Sequence, residues 1–219
     1  MKSTIILFAF FLLSSVPSLA QDPASVSNSP VIVEPMIGSK GLYIQSFFNK
    51  KFNSIPSLGI LSLSGLSTEW KKKSEIKEVM MQSYFNYSLY RGFSINAGFI
   101  YNNVEGIRPT AGGMYFFANE NCSVIVFPRI DLIKNPNLET FAMAEYKPEI
   151  KSGLRFYSRL QCTYIHHLTE NHHQRSYLYA RAGIAVKEFI FGAAFNMDYF
   201  GPDKTNTNNV GLFLNVQLY

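Results

Sequence analysis

The sequence predicts an all-β fold in which antiparallel up-and-down strands, about twelve of them, close into a barrel. Three observations carry that expectation. Apolar and polar residues alternate with period two along most of the chain. The breaks between these stretches come in two alternating sizes. The composition is 47% apolar and 15% aromatic, with 13 Tyr, 19 Phe and only 16% charged residues, against about 25% charged in an average soluble domain. Something other than water therefore solvates part of the surface.

The first element is not part of the fold. Residues 1–20, MKSTIILFAFFLLSSVPSLA, place Lys2 before an apolar run from Ile5 to Leu13 and finish on Ser18-Leu19-Ala20. A basic start, a short apolar core and a small-x-small end are the marks of a signal peptide cleaved after Ala20. The core is too short to span a bilayer comfortably, and Pro17 interrupts the run that follows it. No Cys follows the site, which argues against a lipoprotein. Residues 21–30, QDPASVSNSP, read as a flexible linker. No later stretch offers the roughly 18–20 apolar residues of a membrane helix.

From residue 31 the pattern is that of strands. VIVEPMI (31–37) is the candidate first strand, blurred by Pro35. Further strands fall near 41–49, 58–69, 78–90, 93–103, 107–118, 122–133, 137–147, 152–167, 174–187, 189–200 and 208–219. In FSINAGFIYNN, Phe93, Ile95, Ala97, Phe99 and Tyr101 share one face, with Ser94, Asn96, Gly98 and Asn102 on the other. The last strand sets Val210, Leu212, Leu214, Val216 and Leu218 against Gly211, Phe213, Asn215, Gln217 and Tyr219. Tight breaks such as YRG (90–92), NEN (119–121) and KE (187–188) alternate with looser ones such as WKKKSEIKE (70–78), LTENHHQ (168–174) and GPDKTNTNN (201–209). Ends on the same side require an even number of strands, so the count is twelve, or ten if the first segments are irregular. An 11-residue strand rising about 3.3 Å per residue and tilted about 40° climbs on the order of 28 Å, close to the roughly 25 Å apolar band of a transmembrane barrel.

The stretch RSYLYARAGIAVKEFIFGAAFNMDYFGPDKTNTNNVGLFLNVQLY (175–219), with the exported N-terminus, resembles the closing hairpins of small Gram-negative outer-membrane β-barrel proteins. The resemblance implies a transmembrane barrel over residues 31–219 with short turns facing the periplasm. It also implies lipid around the wall and the barrel assembly machinery as a partner during insertion. Tyr219 departs from the family's pattern by sharing its face with Gln217 and Asn215.

Candidate functional residues lie on the inward faces. Arg108, Arg129, Lys147, Arg155, Arg159, Arg175, Arg181 and Lys187 share the inferred lumen with Asp131, Glu139, Glu145 and Asp198. A symmetric PEIKSG turn puts Glu145 opposite Arg155, and Arg159 then lies near Arg181 at mid-height. Twelve strands leave a channel unless side chains or the N-terminal segment plug it, and a basic lumen favours small anions. The expected function is passive passage of small polar or anionic solutes, with Arg129, Arg155, Arg159, Arg181, Glu145 and Asp198 setting selectivity. A non-conducting structural or interaction barrel is the alternative.

Other chemistries find less support. The net charge of +5 is mild and no nucleic-acid motif is present. Cys122 and Cys162 fall on non-neighbouring strands and read as apolar fillers. The histidines of HHLTENHH, His166, His167, His172 and His173, could ligate a metal, but read more simply as a solvated loop, so neither metal nor cofactor is expected. No His-x-Ser pair of the barrel lipases occurs. Nothing in the spacing of Asp203, Glu170 and His172 requires a rim protease, and no enzyme is expected.

Overall fold

The computed structural model describes residues 29–72 and 75–219. The signal segment 1–20 and most of the linker 21–30 lie outside the described residues. The strands are β1 (Val31–Gly38), β2 (Leu42–Phe52), β3 (Ile55–Glu69), β4 (Glu75–Tyr90), β5 (Phe93–Asn102), β6 (Gly106–Ala118), β7 (Cys122–Asp131), β8 (Asn137–Tyr146), β9 (Glu149–Lys151), β10 (Leu154–His167), β11 (His172–Val186), β12 (Phe189–Phe200) and β13 (Thr205–Leu218). β9 is a three-residue piece paired to β10 alone. The other twelve form one antiparallel sheet, and β1 returns to pair with β13 from Val31↔Leu218 to Gly38↔Gly211. The sheet is thus a closed barrel with no free edge, so its backbone polar groups are satisfied within the wall.

The alternation has the expected sense. Leu212 is 70% exposed on the outer wall beside Val210 and Leu214, while Phe213 and Asn215, in the opposite phase, are buried inside. Phe85, Ile95, Phe191 and Leu160 continue the apolar exterior around the barrel. Cys122 and Cys162 sit on β7 and β10 without a disulfide between them.

Two features differ from the sequence pattern. The looser breaks are shorter than expected, because the ladder runs on through their polar residues. β13 starts at Thr205 and pairs Thr205↔Phe200 and Asn208↔Met197, and β11 starts at His172. Thr and Asn complete backbone hydrogen bonds as readily as apolar residues do; what they lack is the apolar alternation that marks a strand in sequence. The widest connection, 147–153, lies instead on the rim of the chain ends, where β9 occupies it. At the YRG break, Arg91 (φ 45°) and Gly92 (φ 84°) make a two-residue turn of left-handed residues.

The second feature is a pair of prolines. Pro35 leaves the β1–β13 ladder without rungs between Val33 and Met36, and Pro128 does the same on β6–β7 between Gly112 and Tyr115. Neither ring carries an N–H to donate. The strand order sets the two seams six strands apart, on opposite sides of the barrel.

The interior holds two packed clusters. One joins Met36, Tyr43, Tyr157, Tyr177, Tyr179, Ile190 and Phe213 from β1, β2 and β10–β13. The other joins Leu61, Leu63, Tyr84, Ile100, Met114, Ile125, Phe127, Phe141 and Met143 from β3–β8.

The topology puts Lys72, His172 and Thr205 at one rim and Asn121 and Ser152 at the other, with both barrel ends. Single cysteines at these positions, in a chain lacking Cys122 and Cys162 and inserted in one orientation into vesicles, should divide into those two groups when treated with an impermeant thiol reagent. Labelling of Lys72→Cys and Asn121→Cys from the same side would contradict the strand count.

Candidate functional site

The site is built around one carboxylate that the sequence reading passed over. Glu34 lies on β1 and is 0% exposed. Its neighbours on β1, Val33 and Pro35, point to the outer wall, so the alternation forces Glu34 into the barrel. There Glu34 Oε1 accepts hydrogen bonds from Arg159 Nη2 and, at 2.8 Å, from Arg181 Nε. Asn215 Nδ2 donates to its other oxygen at 2.9 Å. The donors come from β10, β11 and β13. The signal available in the sequence was a single acid in an apolar run, in phase with Met36, and Pro35 obscured it.

Arg159 and Arg181 do meet, as the inward phases implied: they face each other in the β10–β11 register. Both are buried, at 4% and 2% exposure. Two guanidinium groups so close repel each other strongly in a poorly solvated space, and Glu34 between them turns that repulsion into a bridged triad carrying one net positive charge. Arg181 Nη1 also donates to Asn196 Oδ1 at 2.8 Å and to the Ala180 carbonyl at 2.9 Å.

The expected Arg155–Glu145 pair is not formed. Glu145 faces Arg159 in the β8–β10 register, and Arg155 faces Glu149 of β9. The connection is not a symmetric turn, because β9 and an irregularity between Leu154 and Arg155 displace the pairing by four residues. Arg155 instead donates to the Lys147 carbonyl at 2.7 Å and to Asn121 Oδ1 at 2.9 Å, tying two turns together at the rim. Glu145 accepts the Tyr157 hydroxyl at 2.7 Å and Ser123 Oγ at 3.3 Å.

Of the remaining candidates, Arg108, Arg129 and Arg175 are paired within the lumen. Arg129 bonds Glu139 and lies 5.1 Å from the centre of the Phe127 ring and 5.5 Å from that of Tyr84. Arg175 on β11 reaches across the barrel to Glu78 on β4 and bonds Asp198 Oδ1 at 2.8 Å. Asp198 also accepts the Tyr179 hydroxyl at 3.2 Å. Lys187 is in the β11–β12 turn, exposed, and takes no part.

These groups line up. From one rim, Arg175, Glu78 and Asp198 lead to Tyr179, then to Tyr43, whose hydroxyl donates to Gln45 at 3.2 Å. Gln45 donates to Gln161 at 3.1 Å across the lumen, beside the Glu34 triad. Tyr157 and Glu145 continue to the other rim. The column is nevertheless closed at mid-height. Met36, Tyr157, Glu34 and Asn215 are 0% exposed and Gln161 1%. Two interior cavities, beside Tyr177 and beside Phe127, measure about 10 Å³ each, room for about one water.

At the rim, Glu170 and His172 come within 3.3 Å of each other, while Asp203 belongs to the β12–β13 turn outside that group.

Closed register, apolar exterior and charged interior define a twelve-stranded β-barrel of the kind that crosses a lipid bilayer. No protein-family model and no curated protein sequence matches the chain. Among solved structures, a NanC porin aligns at 10% identity over 86% of this chain and 99% of its own, with a TM-score of 0.49. A KdgM porin aligns at 12% identity over 86% and 98%, with a TM-score of 0.48. A bacterial polysaccharide outer membrane secretin aligns at 10% identity over 82% and 70%, with a TM-score of 0.44. The barrel assignment rests on the strand register, not on these likenesses.

Removing the Glu34 carboxylate should be the most destabilising change in the lumen. Glu34→Ala leaves two buried guanidinium groups facing each other, and breaking a buried pair this way costs about 3–5 kcal/mol. Arg155→Ala, half exposed at a rim, should cost well under half as much. Urea unfolding of the refolded barrels in lipid vesicles measures both, and equal losses would remove Glu34 from its central place.

Proposed function

We propose that this chain is an exported outer-membrane channel for small polar or anionic solutes, that it rests closed, and that Glu34 is the group whose displacement opens it. The observation that carries this reading is the polar column running from rim to rim through the lumen. Stability does not call for it, since a buried ion network can usually be replaced by apolar packing at no loss. The same barrel carries such packing on its β3–β8 side, beside the buried Arg129–Glu139 and Arg108–Asp131 pairs. The column's waist bears one more cation than anion, which favours anions. Lipid surrounds the wall, export follows cleavage after Ala20, and the barrel assembly machinery inserts the chain. The role is transport and not catalysis.

The complete burial of the waist favours a second reading, a non-conducting barrel whose work lies at its rims. Planar-bilayer recording separates the two. The refolded chain from Gln21 to Tyr219 should show brief, infrequent openings. Glu34→Gln should lengthen them, because Arg159 and Arg181 then repel each other and part. Openings of Glu34→Gln should be anion-selective, and adding Arg159→Gln and Arg181→Gln should shift the reversal potential in a salt gradient toward cations. Silence in both the unaltered chain and Glu34→Gln would leave the non-conducting barrel as the function.

A further inference from the structure

The tip of the β10–β11 hairpin gathers three ligand groups that the linear sequence spreads over six residues. The ladder ends on the directly paired His167 and His172, whose rings stack at 5.3 Å with planes 10° apart. The turn between them is closed by Asn171 at φ 51°, and it brings Glu170 back over the pair. His172 Nδ1 and Glu170 Oε2 are 3.3 Å apart, and one ligand atom from each of His167, Glu170 and His172 falls within 4.8 Å of the other two. The Glu170 amide donates to His167 Nδ1 at 3.1 Å and fixes that ring against the turn.

We propose that His167, His172 and Glu170 form a binding site for a divalent transition metal, zinc or copper, at the barrel rim. Two imidazoles and one carboxylate are the donor set of many zinc sites, with a fourth position left for water or a solute group. Ligand atoms around tetrahedral zinc stand roughly 3.3 Å apart, so the Glu170–His172 edge already has the required length and His167 closes in by at most about 1.5 Å. That movement lies within the reach of side-chain rotation, and the paired strands beneath hold the two backbones in place.

The neighbouring pair supplies the control. His166 and His173 also face each other, but on the opposite face of the ribbon, where both lie against Tyr164. His173 is committed to the Gly201 carbonyl at 2.7 Å and Ser176 Oγ at 3.0 Å, and His166 to Asn171 Oδ1 at 3.1 Å. Four histidines in eight residues thus divide into a pair free to take a metal and a pair engaged in the wall.

The test is calorimetric titration of the refolded mature barrel in detergent with zinc chloride. One zinc should bind per chain. His167→Ala and His172→Ala should each weaken binding by more than the roughly 10- to 100-fold that outer-shell partners cost, and Glu170→Gln by about tenfold. His166→Ala with His173→Ala should leave the affinity within about threefold of the unaltered chain, since neither touches the metal. Heat-modifiable gel mobility confirms that each variant is folded. If a variant does not refold, the electron paramagnetic resonance spectrum of the unaltered chain with one equivalent of cupric ion decides, and two coordinated nitrogens are expected. Zinc binding that survives the His167→Ala/His172→Ala double change, or a copper spectrum without coordinated imidazole nitrogen, would overturn the site.

Discussion

One carboxylate holds the interior together. Arg159 and Arg181 are placed opposite each other by the register of β10 and β11, which is set by the whole length of that hairpin. Neither can turn outward, where a guanidinium at mid-membrane costs about 2–4 kcal/mol. They can share a closed lumen only if an anion separates them, and Glu34 arrives from β1, the strand that also closes the barrel against β13. Closure of the sheet and neutralisation of its interior are therefore one event. Asn215, reaching from β13 to Glu34 beside the rung that Pro35 cannot make, replaces a backbone contact with a side-chain one at the seam.

The lumen built on this triad is uneven. On the β3–β8 side an apolar cluster, with Tyr84 set edge-on to Phe127 at 4.9 Å, packs against the buried Arg129–Glu139 pair. On the β1–β2 and β10–β13 side a chain of hydroxyls, amides and charges runs beside Met36, Ile190 and Phe213. The Arg175–Glu78 bond joins the two sides, while Gln45–Gln161 spans the lumen within the polar one. The opposed proline seams divide the wall along other lines, with β1–β6 between them on one side and β7–β13 on the other.

Much of this was legible before any coordinates. A wall with lipid outside and a lumen inside imposes strict alternation, so strand identity, facing and the count of twelve followed from residues such as Phe93 to Tyr101. Register was less accessible. The symmetric turn that paired Arg155 with Glu145 assumed that every residue between them was loop, and nothing in EIK announced a further strand. Whether the lumen is filled was beyond reach, because it depends on which side chains meet at equal height from strands far apart, as Glu34, Arg159 and Asn215 do. The rim metal site was legible as composition only. His167 and His172 become partners through the exact length of the β10–β11 turn, which alternation does not give.

Thiol accessibility at Thr163, which points into the lumen beside Tyr177 and is 3% exposed, separates a waist shut by the Glu34 triad from one that is merely narrow. With Cys122 and Cys162 replaced by Ser, Thr163→Cys should resist a water-soluble thiol reagent while Glu34 is present and react at least about a hundredfold faster once Glu34→Gln frees the arginines, as expected when a buried network loses its anion. Rapid labelling with Glu34 in place would mean that the lumen is open and that the triad serves only the wall.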